Sequence, residues 1–402
     1  MTRSNFLKLA LGAAALPSTM VGRAAPSAPK NTAGRAATSA PQNISPKIAR
    51  AKAEVQLQLD YHLIGGCVFC STEHPEPVPM GTRLHAPERK EPMPANALFD
   101  MMSVTKTIVA TAAAQLVAEG TLDPDAPFTK YLPEHVLGPN CDITVRDLAT
   151  HSGGFDDTRP YAKKGMNFQR DIWKKRPTWK RRERFCYACY NLIMIGRIVE
   201  RLTGKRLDSA CKERVFDPLG MTDSRWWPVT GPDLARTVQI MKTPKLIGIC
   251  QDGQSQMNKL PQGNAGVFST AADMLKFVTD ILHRRTFKKE VYDLLYTPTF
   301  EHETGRRSWG WDMGPVQRPN GWSASTITHS GFSGQTIAID PGGARSCATA
   351  TIDPGGSRSC ATENPDAGFA GVVLTSRTAE HGTGIICRKR ILSILKTSKS
   401  ST

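Results

Sequence analysis

Four serine–lysine pairs in this 402-residue chain stand three residues apart: Ser27/Lys30, Ser103/Lys106, Ser209/Lys212 and Ser393/Lys396. On a helix, that spacing puts a hydroxyl and an amine on one face, one turn apart. An uncharged amine there can take the serine's proton and turn its oxygen into a nucleophile. Such a lysine must fall about three units from its reference value of roughly 10.4, and burial with positive neighbours pushes it that way. Only Ser103/Lys106 has a fitting context. It leads into Thr107 to Glu119, apolar almost all round (Ile108, Val109, Ala112, Ala113, Leu116, Val117) and stopped by Gly120. A helix without a polar face is buried, and its N-terminus favours developing negative charge, so a serine there could meet a substrate. Ser27 lies in a polar stretch, and the last two pairs fall on polar helical surfaces. The competing reading of Ser103 is a capping serine beside a snorkelling lysine.

The elements that must position this pair are legible in outline. Lys47 to Tyr61 is amphipathic and reads as a helix, Gly65 to Cys70 as a buried strand, and Gly371 to Ser376 as another. A proline-rich connection runs up to Ala97. Residues 1–24 have the layout of a cleaved secretory signal: Arg3 and Lys8, a short apolar run Leu9 to Leu16, then Pro17 and the small-residue site Gly22-Arg23-Ala24-Ala25. Thr2 to Lys8 is similar to a twin-arginine signal with serine at the second arginine, and export to the periplasm or outside the cell is expected. The apolar core is too short to span a bilayer, and no later segment is apolar enough. Residues 25–46, rich in Ala, Pro, Ser, Asn and Thr, read as a flexible tether.

Phe99-Asp100-Met101-Met102-Ser103-Val104-Thr105-Lys106 is followed in order by Gly120 to Pro127, Ile143 to Gly154, Phe216 to Asp223 and Ala265 to Asp273. Together these blocks resemble the serine β-lactamase and penicillin-binding-protein superfamily, in particular its β-lactamase-related branch of class C-like enzymes, esterases and D-amino-acid peptidases. The resemblance runs from about Leu98 to Arg377. It implies an α/β plus all-α fold, an antiparallel sheet flanked by the terminal helices with an inserted helical domain. Residues 47–97 and 265–402 would form the α/β part and 98–264 the helical part of one catalytic domain, 47–402.

The resemblance also implies roles. Ser103 is the nucleophile, with Lys106 and Tyr187 moving its proton. Tyr187 stands nine positions before Gly196, as in the family pattern, and a phenol relays a proton when cations stabilise its anion. Tyr190 is the alternative phenol, and a buried structural tyrosine is the bland reading. Cys189 stands where the family carries the asparagine that helps hold a substrate's amide side chain, which turns the reading from β-lactams towards esters. Thr328-His329-Ser330-Gly331 is similar to the His-x-Gly variant of the family's Lys-Thr-Gly strand, and places His329 and Gly331 at the substrate. Gly331 and Gly334, beside Phe332 and Ser333, allow close backbone approach. The amides of Ser103 and Phe332 would form the oxyanion hole. His151-Ser152-Gly153 spells the same triplet, but its order and context assign it to a structural loop. The reaction implied is acyl transfer on a small ester or amide, with no metal or organic cofactor. D,D-peptidase or β-lactamase action on cell-wall peptides or β-lactams is one alternative, and a non-catalytic envelope-binding protein on the same fold is another.

Three features stand apart. The formal charge is +16, about +13 without Arg3, Lys8 and Arg23, and Lys174 to Arg184 holds seven bases against one acid. No nucleic-acid module accompanies it, so the run reads as a solvated loop, or as a rim attracting anionic or cell-wall-derived substrates. Cys67/Cys70 and Cys186/Cys189 have the spacing of zinc or thiol-redox sites. Spacing three on a strand turns the first pair to opposite faces, and buried thiols are expected. Residues 339–349 return with one substitution as 352–362, read as a tandem insertion in the hairpin after the His-x-Gly strand.

Overall fold

A computed structural model describes residues 45–86, 89–157, 167–239, 246–342, 368–377 and 384–396. The segment read as signal, the tether up to residue 44, and the repeat beyond Gly342 lie outside the described residues, while Pro46, read as the end of the tether, opens the first helix. From residue 45 on, the described chain belongs to one compact unit.

Among the described residues, twelve strands form two sheets. In chain order they are β1 (Ile64–Ser71), β2 (Val78–Ala86), β3 (Arg89–Pro92), β4 (Phe99–Asp100), β5 (Arg225–Trp226), β6 (Val267–Ser269), β7 (Phe300–His302), β8 (Gly305–Ser308), β9 (Trp311–Asp312), β10 (Ile327–Ser330), β11 (Gln335–Asp340) and β12 (Phe369–Arg377). Nine make a sheet in the order β3-β2-β1-β12-β11-β10-β9-β8-β7, and β4-β6-β5 make the small one. All strand pairs are antiparallel. The chain therefore builds the β3-β2-β1 side of the sheet first and returns to complete it only after the intervening helices.

Alternation along the strands gives the sheet two buried faces. Cys67 and Phe69 join Ala338 and Val373 under the helices Pro46–Asp60 and Gly384–Lys396, whose Val55, Ile391, Leu392 and Leu395 complete that layer. Val68 and Cys70 face the other way, with Ile337, Val372 and Leu374, into the core shared with the helix Ala271–His283 and the helical body. The sequence reading placed Cys67 and Cys70 on opposite faces, and both are fully buried there.

The helix Thr105–Ala118 runs through the larger core, with Ile108 and Val109 fully buried and Leu116 nearly so. Each such side chain contributes about 1.5–3 kcal/mol over its exposed state. Gly120, at φ +78°, ends the helix in a conformation a side chain would resist. The helix is pinned from the far strands: the Trp309 indole donates to the Ala110 carbonyl at 2.8 Å. A Cβ on Gly310 would lie 2.3 Å from that of Ala110, so only glycine lets β8 and β9 close against the helix.

Candidate active site

The nucleophile turn is held by backbone and one carboxylate. Met101 N–H donates to the Val267 carbonyl at 2.8 Å. The two oxygens of buried Asp100 accept Met102 N–H at 2.9 Å and Gln251 N–H at 2.8 Å. Burial pushes the Asp100 carboxyl up to about 7, against the pull of those amides. Met102 sits at φ +47°, a strained conformation for a long side chain. Ser103 follows in a single 3-10 turn, Met102–Val104, rather than in the α-helix itself.

Lys106 is fully buried, and its ammonium has three acceptors: Ser103 Oγ at 3.0 Å, the Asn264 carbonyl at 2.8 Å and Cys189 Sγ at 3.6 Å. Three N–H groups thus meet three acceptors, the arrangement of a protonated lysine. Burial pulls the ammonium down, but Cys189, Tyr187 and Asp252 outweigh it and hold Lys106 above its ordinary range. This corrects the expectation that burial would free the amine: the chain lines the pocket with acceptors instead of cations. Asn264 reaches its place because two glycines cross. A Cβ on Gly263 would lie 1.8 Å from the Leu192 carbonyl oxygen, and one on Gly196 would lie 3.1 Å from Gly263 N.

Tyr187 lies two residues before the helix Cys189–Thr203. Its ring sits 5.1 Å from Lys106 Nζ, and its hydroxyl faces both Lys106 and Ser103. Burial raises the phenol, Lys106 opposes the rise, and the net direction is up. Burial likewise raises the Cys189 thiol, against the pull of the neighbouring Lys106. Tyr190, the other candidate phenol, is buried and spends its hydroxyl on His135 Nε2 at 2.5 Å. It is a core residue of the helix, turned away from Ser103 by its place three residues on.

The β10–β11 turn closes the other side. Gly331 N–H donates to the Gln335 carbonyl at 2.8 Å, and a Cβ on Gly331 would lie 2.8 Å from the Met101 carbonyl oxygen. The turn therefore packs on the residues just before Ser103, with Phe332 59% exposed at its tip. His329 is buried, and burial, then Arg307 and Lys106, hold it far below its usual range, hence neutral. Neither of its ring nitrogens has a protein partner among the described residues.

Two sequence readings gain contacts that they did not foresee. His151, read as part of a structural loop, stacks on Tyr187 with ring centroids 4.7 Å apart. The basic run, read as a solvated loop, is a strap fastened to that loop. Arg181 Nε donates to buried Asp147 at 2.5 Å, with Arg182 Nη1 at 3.3 Å. Thr178 and Trp179 amides donate to the Gly154 carbonyl at 2.9 and 3.1 Å. A Cβ on Gly154 would lie 2.1 Å from the Trp179 carbonyl oxygen, so the strap passes only over glycine. Its charges are largely spoken for: Lys175 meets Asp156, Lys174 meets Asp171, and Arg184 stacks 3.8 Å over Trp179.

Of the other serine–lysine pairs, Ser209 and Lys212 are exposed, Ser393 and Lys396 are half-buried on the last helix, and Ser27 and Lys30 lie outside the described residues. The cysteines among the described residues are free thiols. No group of three or more His, Cys, Asp or Glu there is arranged to hold a metal. No helix among the described residues is long and apolar enough to cross a membrane.

The structure thus brings together a serine, a lysine hydrogen-bonded to it and a tyrosine facing both, beside the β10–β11 turn. The Beta-lactamase family model matches residues 64–396, and the chain belongs to that family of serine hydrolases. It is similar to the lovastatin esterase of Penicillium rubens, 29% identical over 266 residues, which cover 56% of this chain and 66% of that one. It thus spans just under two thirds of the length of that relative. EstCE1, a hydrolase with promiscuous acyltransferase activity, shares its fold with a TM-score of 0.66 at 16% identity, over 87% of this chain and 98% of that one. A class C β-lactamase from Rhodobacter sphaeroides does so with a TM-score of 0.62 at 20% identity, over 84% and 96%. The fold is that of the β-lactamases and transpeptidases.

Proposed function

We propose that this chain is an exported serine hydrolase that forms an acyl-enzyme on Ser103 and hydrolyses small esters. The observation that carries the reading is the 3.0 Å bond between Lys106 Nζ and Ser103 Oγ inside a closed ring of acceptors, with the Tyr187 hydroxyl facing both. At rest the pair holds an ammonium and a neutral phenol. Loss of one proton from that pair leaves a base able to take the Ser103 proton. Ser103 Oγ then bonds to the carbonyl carbon, and the amides of Ser103 and Phe332 receive the charge on its oxygen. The alcohol leaves with the proton, and water, activated by the same pair, releases the acid. His329 donates to a polar group of the acyl portion. Cys189 supports esters over amides, since a thiol is a weak donor and acceptor where an amide would hold an acylamino side chain.

A fluorophosphonate probe and a labelled penicillin, each applied to the intact protein and to Ser103→Ala, test the reading, beside turnover of short-chain aryl esters, nitrocefin and D-alanyl peptides. Labelling confined to intact Ser103 with ester turnover is expected. Labelling by penicillin alone would move the function to cell-wall peptides. Labelling by neither probe would leave a binding protein on a hydrolase fold.

A further inference from the structure

Three contacts converge on Tyr187 from one residue 36 positions earlier in the chain. The His151 carbonyl accepts Cys186 N–H at 3.0 Å, and His151 Nδ1 accepts Ala188 N–H at 3.3 Å. Both residues flanking the tyrosine are therefore tied to His151. Its imidazole then lies on the phenol itself, centroids 4.7 Å apart and planes at 27°. Asn191, one turn into the helix that follows, donates its side-chain amide to the same Nδ1 at 3.0 Å.

The residue that makes these contacts adopts a costly conformation. His151 is 1% exposed and has φ +56°, where a non-glycine residue is uncommon. Only that backbone turn presents the carbonyl and the ring of one residue to the same short segment. With two donors on Nδ1, the ring proton belongs on Nε2 and the imidazole is neutral. Burial, then Arg307, Lys106 and His329, hold it far below its usual range, in agreement. A neutral ring adds no charge that would compete with Lys106 for the phenol.

We infer that His151 is the positioning residue for Tyr187, fixing the plane and reach of the phenol that serves Ser103. The inference rests on the proposed use of Tyr187 in proton transfer. Misplacing a reacting group by about 1 Å costs on the order of 10²-fold in rate, whereas substrate binding made elsewhere in the pocket is untouched.

The test uses the full chain, with p-nitrophenyl acetate turnover and the rate of fluorophosphonate labelling at Ser103 as readouts. Asparagine tolerates the left-handed backbone, so His151→Asn removes the stack with the least strain. Its kcat is expected to fall about 10- to 100-fold with KM within twofold, and labelling to slow in parallel. His151→Phe, which restores a ring, is expected to recover most of that loss, and it carries the test if His151→Asn fails to fold. In a Tyr187→Phe background, His151→Asn should cost no more than about twofold further, because residues acting as one unit are not additive. Equal losses in the two backgrounds, a rise in KM without loss of kcat, or a fully active His151→Asn beside an inactive Tyr187→Phe would overturn the inference alone. Full activity in Tyr187→Phe would overturn both it and the proton path on which it rests.

Discussion

Ser103/Lys106 and Ser393/Lys396 share a spacing and a helical setting, and they end in opposite places. Lys106 is enclosed and turns its three donors on the Asn264 carbonyl, Cys189 and Ser103 itself. Lys396 reaches away from Ser393 to the buried carboxylate of Asp340 and lies 5.3 Å from the Trp322 ring centroid. Ser393 meanwhile donates back to the Lys389 carbonyl at 2.9 Å. What separates the pairs is the partner each lysine finds. A carboxylate fixes Lys396 as a structural cation. Carbonyl, thiol and phenol leave Lys106 charged but able to exchange a proton with its neighbours.

The sharpest way to break this contrast is at the serines. Ser103→Ala should lower ester turnover by about 10³-fold or more, while Ser393→Ala leaves kcat unchanged. Equal behaviour of the two would remove the distinction. At the lysines, Lys106→Met should cost about 10²- to 10⁴-fold in kcat with the fold retained in circular dichroism.

The pH profile comes next. Lys106 and Tyr187 are both held above their ordinary values, and the active form has lost a proton from the pair. Activity must therefore rise with pH and climb through the alkaline range. A rate that is flat from neutral pH upward would show that the pair is already deprotonated at rest.

Lys396→Met should leave kcat intact and reduce stability by about 1–3 kcal/mol in urea unfolding, the usual cost of an underpaired buried charge. Asp340 keeps donors from Ser323 and Gly342, which limits the loss. Against its burial, the Lys396 and Ser323 donors hold its carboxyl below its usual range. Their stabilisation is present above the unfolded carboxyl value and disappears as the pH falls through the folded one. The variant should therefore show a smaller acid-induced loss of stability than the parent.

Local pattern made much of this readable. Residues 65–70 do form a buried strand within β1, the helix Pro46–Asp60 matches an amphipathic stretch, and the apolar run after Ser103 is a buried helix. Blocks in a fixed order pointed to the family. What the chain did not disclose were contacts made across tens of residues. His151 meets Tyr187 at a separation of 36, and Asp147 receives Arg181 and Arg182 at 34 and 35. A His-x-Gly triplet and a run of bases look the same wherever they fold. The state of Lys106 was hidden for a related reason: it depends on Cys189, Tyr187 and Asp252, far along the chain, and on a carbonyl 158 residues away at Asn264 that takes one of its donors. A positive φ at His151, where no glycine advertises it, was equally silent.

One pairing in the sheet bears on how this chain could have changed over time. Asp340 of β11 lies opposite Phe369 of β12, so the register is already set on both sides of residues 341–368, the stretch that holds most of the duplicated sequence. A 13-residue copy added or removed there falls between two strands whose pairing is fixed outside it. Deleting residues 352–364 should leave kcat and the melting temperature within error of the parent. The duplication then reads as a length change that selection had little means to detect, and the hairpin as a site where the gene can be lengthened, tagged or fused without consulting the catalytic core.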